Sequence, residues 1–356
     1  MERIEGRSTR LVDVADKAGV SKATASNVFN RPELVRKEVR ERVLAAAEAI
    51  GYAGPDPKGR MLSAGKVNAI GVATAEPLGY FFEDPYSRTM MKGISEICDA
   101  NGIGISLISA ANEDALAWSI RSALVDGLIL FCLEDTGRLV AEARERRLPY
   151  VALDLGDSDA TVPAVGIDDV AGARLAGEHL AALGHRRFAV LAMEFGEGPG
   201  GRADMARVEG ADYAVSRDRV RGYFAALEAA GVGTAGVPIY ETNSDLATVD
   251  RALEALFAGE ERPTALLAQS DRIAMRALDW LKARGIAVPG EVSVAGFDGV
   301  PEGEATLPPL TTVRQPISEL GRRAVEVILD PGPGVRRERL EVDLVVRAST
   351  APPPAG

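Results

Sequence analysis

The chain has 356 residues, 46% of them apolar, and carries 41 Lys/Arg against 52 Asp/Glu. That apolar share excludes a mainly disordered chain, and no apolar run approaches the roughly 18–20 residues that span a bilayer. Cys98 and Cys132 form no CxxC pair, only two histidines are present, and MERIEGRSTR lacks the apolar stretch of a secretory leader. A soluble, cytoplasmic protein without metal or cofactor is the expectation.

Charge is divided unevenly along the chain. Residues 1–66 hold 13 Lys/Arg and 9 Asp/Glu, a net +4, while the rest hold 28 and 43, a net −15. A small basic module on a large acidic body assigns any polyanion contact to the first segment. There, 11–18 reads as a short helix capped by Ser8 or Thr9 and stopped at Gly19. Ser21 opens a second helix over 22–29, and Val14, Ala18, Val20, Ala25 and Val28 supply apolar contacts between the two. Ala15 is small where they meet, and Gly19 tolerates the positive φ of a tight turn. A third amphipathic helix follows, with Val39, Val43, Leu44, Ala47 and Ile50 at helical spacing and a stop at Gly51. Helix, glycine turn, second helix and supporting third helix make a helix-turn-helix.

Several of these residues match a known pattern. Asp13-Val14-Ala15, Ala18-Gly19-Val20-Ser21, Thr24, Ser26, Asn30 and Arg40-Glu41-Arg42-Val43 through Gly51-Tyr52 resemble the headpiece of the LacI/GalR (lactose-repressor) family. In that docking geometry the second helix presents Ser21, Lys22, Ala23, Thr24 and Asn27 to the major groove or its phosphates. Lys22 can donate to guanine O6/N7, Asn27 can pair with adenine N6/N7, and Ala23 offers contact to a thymine methyl. Asn27 stands where the family most often has arginine, and Ala25 replaces a larger β-branched core residue. The first departure puts the usual operator sequence in doubt, and the second loosens the headpiece.

Residues 54–66, rich in Gly and Pro, read as a linker. They do not make a phosphate loop, because five residues separate Gly59 from Gly65 and Val67 stands where Ser/Thr is required. The resemblance implies a hinge helix here that orders on operator DNA, with Leu62 as the wedge that enters a minor-groove step. Gly59 replaces the usual alanine and costs helix formation on the order of 1 kcal/mol.

From Val67 the chain alternates apolar strands, at 69–75, 103–109, 127–133, 150–154, 188–193, 237–240, 265–268 and 292–297, with helices at 89–100, 170–183, 219–230, 246–257 and 273–284. That alternation predicts an α/β fold with parallel sheets covered on both faces, and its length predicts two lobes. Ligands of such sheets sit beyond the carboxyl ends of the strands. Val165-Gly166-Ile167-Asp168-Asp169, Gly184-His185-Arg186-Arg187, Arg219-Val220-Arg221-Gly222-Tyr223, Gly296-Phe297-Asp298 and Thr311-Thr312-Val313-Arg314-Gln315-Pro316 are similar to landmarks of the same family.

The resemblance implies a two-lobed, periplasmic-binding-protein-like effector domain with crossovers near 165, 313 and 335. The organisation expected is therefore a headpiece at 8–53, a hinge at 54–66, an effector-binding and dimerisation domain at 67–350, and a tail at 351–356. By position, Arg219 matches an effector-binding arginine, and Asp298 an aspartate that accepts ligand hydroxyl or amine hydrogens. Asp154 and Asp271 fall at comparable strand ends, and Tyr86 lies in a ligand-contacting loop. Arg219 also has possible surface partners in Asp218 and Glu228, and Ser270 replaces the usual asparagine beside Asp271.

His179 and His185 read as structural, with no second ligand at metal spacing. Gly196–Gly201 follows a strand but leads into no prompt helix, so a dinucleotide role is not expected. The stretch 194–215 is longer than the typical family connection. The tail at 349–356 is Pro/Ala-rich and lacks leucine heptads, so a coiled-coil tetramerisation appendage is not expected. A solute-binding protein would share the two lobes but not residues 1–66. An α/β enzyme would need a phosphate loop, a dinucleotide fingerprint or an acid/base cluster, and none is found. The reading is a dimeric regulator, most simply a repressor, that binds a pseudo-palindromic double-stranded DNA operator and responds to a small polar, sugar-like effector.

Overall fold

The computed structural model describes residues 9–54, 65–109, 113–131, 136–153, 160–243 and 245–354. The chain divides into two compact units, Met1–Val67 and Asn68–Gly356.

In the first unit, α1 (Leu11–Ala18), α2 (Lys22–Asn30) and α3 (Lys37–Ala49) enclose Val14, Ala15, Ala18, Ala25, Val28, Val43, Ala46 and Ala47. Arg10, and not Thr9, is the N-cap of α1, because Asp13 reaches back to accept the Arg10 N–H at 2.8 Å; Ser8 lies outside the described residues. Gly19 ends α1 at φ +64°, the left-handed conformation that closes the turn. Leu44 departs from the expected apolar face and is exposed, since Val39, Val43, Ala46, Ala47 and Ile50 already fill the buried stripe of α3. Phe29 packs edge-on against Tyr52 at 5.6 Å between ring centroids.

The second unit contains two sheets. The first has six parallel strands in the order β12-β5-β4-β3-β1-β2: β1 (Ala69–Thr74), β2 (Gly104–Ser109), β3 (Gly127–Leu130), β4 (Tyr150–Leu153), β5 (Ala164–Ile167) and β12 (Arg337–Leu340). The second runs β13-β11-β10-β9-β6-β8-β7: β6 (Phe188–Ala192), β7 (Gly201–Ala203), β8 (Ile239–Glu241), β9 (Ala265–Ala268), β10 (Ser293–Asp298), β11 (Thr311–Arg314) and β13 (Asp343–Val345). Only its two edge strands, β7 and β13, pair antiparallel. Both faces are covered, so interior strands are apolar throughout. In β3, Ile129 faces one core while Leu128 and Leu130 face the other.

Parallel strands require crossover helices, which here are α4 (Tyr80–Glu83), α5 (Pro85–Ala100), α6 (Glu113–Ser122), α7 (Thr136–Glu145), α8 (Asp169–Ala182), α9 (Met205–Glu209), α10 (Ala214–Ala229), α11 (Leu246–Phe257), α12 (Asp271–Ala283) and α13 (Ile317–Leu329). The chain passes between the sheets after β5, after β11 and after β12. The last passage lies at 341–342, a few residues beyond the expected 335, because β12 still belongs to the first sheet. Strands β5, β7, β11, β12 and β13 are additions to the eight expected. Gly201 does not lie in an open loop: it starts β7, and α9 follows promptly.

Each lobe is held by one close helix pair. A Cβ on Gly93 of α5 would strike the Ser318 carbonyl at the start of α13, and one on Gly222 of α10 would strike the Val170 carbonyl of α8. His185 organises the amino ends of the second sheet: Nδ1 contacts Thr264 Oγ1 at 3.0 Å, and Nε2 contacts Ser293 Oγ at 3.1 Å and the Ala351 carbonyl at 2.9 Å. Among the described residues no helix is long and apolar enough to cross a membrane. Gly93→Ala should lower stability by about 1–3 kcal/mol in urea unfolding, because backbone and not a flexible side chain occupies the space. Gly236→Ala, with nothing within 4 Å of its Cβ, should change stability by less than about 0.5 kcal/mol.

Candidate functional site

In the first unit, Ser21 is the N-cap of α2: its Oγ accepts the Thr24 N–H at 3.0 Å and contacts Thr24 Oγ1 at 2.8 Å. Both hydroxyls are therefore engaged in building the helix start. Lys22, Ala23 and Asn27 are exposed, with Ala23, Asn27 and Asn30 in a row at helical spacing and Lys22 beside it. Asn30 was not among the expected residues; its amide donates to Ser26 Oγ at 3.1 Å. Ala25 is fully buried in the place where α2 meets the core. Leu62 and Gly59, in the expected hinge, lie outside the described residues, as does Asp154.

In the second unit, the carboxyl ends of β9, β10 and β11 converge on a buried polar cluster. Arg219, from the second turn of α10, is only 4% exposed. Its Nε donates to Asp169 Oδ1 at 2.8 Å, its Nη1 donates to the Gln269 carbonyl, and Nη1 lies 3.5 Å from Asp298 Oδ1. The guanidinium carbon stands 3.7 Å from the Phe297 ring centroid. The alternative partners are otherwise engaged: Asp218 pairs with Arg217 and Arg221, and Glu228 accepts from Thr234.

Asp298 ends β10 and adopts φ +120°, a backbone region that side chains other than glycine rarely enter. Its Oδ1 accepts the Gln315 side-chain amide at 2.9 Å, its Oδ2 accepts the Asp271 N–H at 3.3 Å, and its carbonyl accepts the Gln315 N–H at 2.9 Å. Asp271 is fully buried at the start of α12. It accepts the Gly299 and Val300 N–H groups at 2.8 and 2.9 Å and the Thr312 hydroxyl at 2.6 Å. Ser270, in place of asparagine, caps α12 by accepting the Ile273 N–H at 3.2 Å. Tyr86, half-buried, stacks on Phe131 with centroids 6.1 Å apart.

Sequence reasoning missed Asp169, Gln269, Gln315 and the ring of Phe297. The Asp168-Asp169 pair held a signal: one cap suffices for α8, and Asp168 supplies it by accepting the Ala171 N–H at 2.9 Å. The second acid is thereby free to turn inward toward Arg219. Gln269 is a staple: its Oε1 accepts the Met193 N–H at 2.9 Å and its Nε2 donates to the Ser216 carbonyl at 2.8 Å, fixing both ends of the long 194–215 connection.

Burial alone would weaken the Arg219 cation, but the Asp169 and Asp298 carboxylates overcome it and raise its pKa. Burial also holds the Asp298 carboxyl well above the usual range; Asp271 and Asp84 add to the shift and Arg219 opposes it. The Asp271 carboxyl is pushed up to about 7 by burial, against the hydrogen bonds from Thr312, Val300 and Gly299. Such a cluster both accepts and donates hydrogen bonds near neutral pH. Among the described residues no group of three or more His, Cys, Asp or Glu side chains could hold a metal ion.

An acid with a raised folded-state pKa keeps its proton in the fold longer than in the unfolded chain, so its stabilising contribution is lost as pH rises. For Asp271 the window runs from its ordinary 3.8 to about 7. Urea-unfolding stability relative to Asp271→Asn should therefore fall as pH rises through that window. Comparison with the variant cancels the opposite trend from His179 and His185, whose burial disfavours their charged forms.

Comparison with known proteins agrees with this architecture. Residues 10–54 match the model for bacterial regulatory proteins of the lacI family, and residues 178–350 match a periplasmic binding protein-like domain. An HTH-type transcriptional regulator of Mycobacterium tuberculosis is 38% identical, with 98% of both chains covered. The crystal structure of the lac repressor dimer bound to operator and an anti-inducer superposes with a TM-score of 0.79 at 26% identity, covering 97% of this chain and 100% of that one. A complex of the transcriptional regulator CelR with cellobiose gives a TM-score of 0.69 at 27% identity, with 96% and 99% covered.

Proposed function

The chain belongs to the lacI family of bacterial regulatory proteins, and on that premise we propose that this transcriptional regulator is a cytoplasmic repressor. It acts as a homodimer on a pseudo-palindromic operator and is released or engaged by a small, uncharged, hydroxyl-rich effector. The observation that carries the DNA half is the exposed row on α2, where Lys22, Ala23 and Asn27 stand clear of the core on a basic module. A twofold dimer sets two such helices on two half-sites. Leu62, in the connecting segment, is the wedge that enters the minor groove between them.

The effector half rests on the state of Arg219. Asp169 and Asp298 already occupy its Nε and Nη1, and Gln269 shares the latter. It is therefore no free clamp for a phosphate or carboxylate, and a ligand anion would enter a site where burial already disfavours the charged forms of Asp169, Asp271 and Asp298. Ligand hydroxyls suit the cluster better, because each donates to one carboxylate and accepts from a neighbouring donor. Tyr86 adds an aromatic face from the other lobe, and Asp154, the next residue in sequence after β4, is assigned by resemblance as a further acceptor. Effector binding switches the repressor only if it favours one lobe arrangement over the other.

In vitro selection of operator sequences tests the first half. Lys22→Ala and Asn27→Ala should each relax preference at one base position per half-site, costing about 1–3 kcal/mol there; selection profiles identical to the unaltered chain would remove the assignment. For the second half, thermal-shift screening of the full chain against sugars, nucleosides and organic anions should pick out neutral polyols. Arg219→Lys and Asp298→Asn, which keep the buried cation and the shape of the cluster, should abolish that shift while leaving operator affinity within about twofold, a ratio well below the cost of one lost base contact. A shift by phosphate or carboxylate ligands alone would reject the hydroxyl reading.

A further inference from the structure

Two contacts join the lobes at the mouth of the cleft, away from the buried cluster. Arg88, in the first turn of α5, donates through Nη1 to the carbonyls of Phe82 at 3.1 Å and Glu83 at 2.8 Å. Its Nη2 reaches across to the carboxylate of Glu302, in the turn Pro301–Glu304 that follows β10 in the second lobe. The side chains are 41% and 43% exposed, so the pair sits at the rim. Nearby, the Arg272 guanidinium of α12 lies 5.9 Å from the ring centroid of Tyr80 in α4.

Both halves of the rim pair are prepared before they meet. The two carbonyls aim the Arg88 guanidinium, which reduces the rotamer entropy lost on pairing. The Glu302 turn is anchored where Asp271 accepts the Gly299 and Val300 N–H groups and where Glu304 pairs with Arg347 at 2.8 Å. Opposing them is a repulsion inside the cleft, since Asp84 of the first lobe lies close enough to Asp298 to disfavour its ionisation. The titratable and charged groups around this contact are therefore Asp84, Arg88 and Glu83 on one side and Arg272, Asp271, Asp298, Arg219, Glu302 and Glu304 on the other.

We propose that the Arg88–Glu302 ion pair is an inter-lobe latch that sets the resting balance between the closed and open cleft. The pair is attached through three residues, 299–301, to the Asp298 carboxylate that the proposed effector site uses. The latch acts in the chain with no ligand added, so its test stands apart from that site. A solvent-exposed pair of this kind shifts the ratio of closed to open chains by about two- to fivefold, and salt screens it.

The test measures inter-lobe distance in the full chain by pulsed electron spin resonance. Spin labels go on Ser122→Cys in the first lobe and Ala258→Cys in the second, both exposed, in a Cys98→Ala, Cys132→Ala background. Labelled chains are diluted with excess unlabelled chains so that one protomer per assembly reports. Glu302→Gln should move population toward longer distances by the stated factor, and about 0.5 M NaCl should do the same to the unaltered chain but not to the variant. Because Arg88→Gln also loses two carbonyl contacts, it is read as a cycle: in the Glu302→Gln background it should add little further opening. Unchanged distances in Glu302→Gln would overturn the latch. So would an undiminished effect of Arg88→Gln in that background, since opening would then come from the carbonyl contacts alone. Circular dichroism confirms that each variant is folded.

Discussion

A single buried cation organises the carboxyl end of the second sheet. Arg219 draws together the start of α8 through Asp169, the end of β9 through the Gln269 carbonyl, and the end of β10 through Asp298 and the Phe297 ring. A charge so far from water is tolerated only because its partners are fixed beside it, and removing one partner leaves the others uncompensated. The same cluster explains the unusual backbone at Asp298. A φ of +120° costs on the order of 1–3 kcal/mol in a residue with a side chain. Gln315 and Asp271 secure it by binding Asp298 through main chain and side chain alike. The residue that ends the strand is thus turned toward the cleft by its neighbours.

Rigid lobes and an adjustable gap between them follow from two kinds of contact. Within each lobe, glycines bring helices to backbone distance, at Gly93 against α13 and Gly222 against α8. Such surfaces fit in one register and resist sliding. Across the mouth of the cleft the contacts are Arg88 with Glu302 and Arg272 with Tyr80, polar and partly solvated, which cost little to part. A regulator needs this division, because a ligand can shift only an equilibrium whose two states lie within a few kcal/mol of each other.

Much of the fold was legible in the sequence because local pattern and tertiary role coincide. Residues 265–268 form a short apolar strand bounded by polar residues, and β9 occupies the same four positions. The three headpiece helices follow from apolar spacing and from the glycine at the first turn. Two of the strands that went unread, β7 and β12, carry no such pattern. β12 is Arg-Glu-Arg-Leu on a sheet edge, and β7 is Gly-Arg-Ala, so pairing and not hydrophobicity makes them strands. In α13, Ile317, Leu320, Ala324 and Ile328 keep a helical period, but the break at Pro316 and the change of lobe hide its place in the fold. At the site, Arg219 and Asp298 stand out by position, whereas Asp169 is 50 residues from the arginine it neutralises and resembles an ordinary helix cap. Only three-dimensional proximity distinguishes the two roles.

The route of the chain has a bearing on its birth. β12 completes the first sheet at residues 337–340, β13 edges the second at 343–345, and the segment around Ser349–Ala351 is stitched to β10 and His185. A growing polypeptide on the ribosome therefore can finish neither lobe until residues 337–351 have left the exit tunnel, while the apolar core of the headpiece is made of residues 11–52, about 280 positions earlier. Synthesis thus yields a DNA-reading module well before the part that governs it has taken shape.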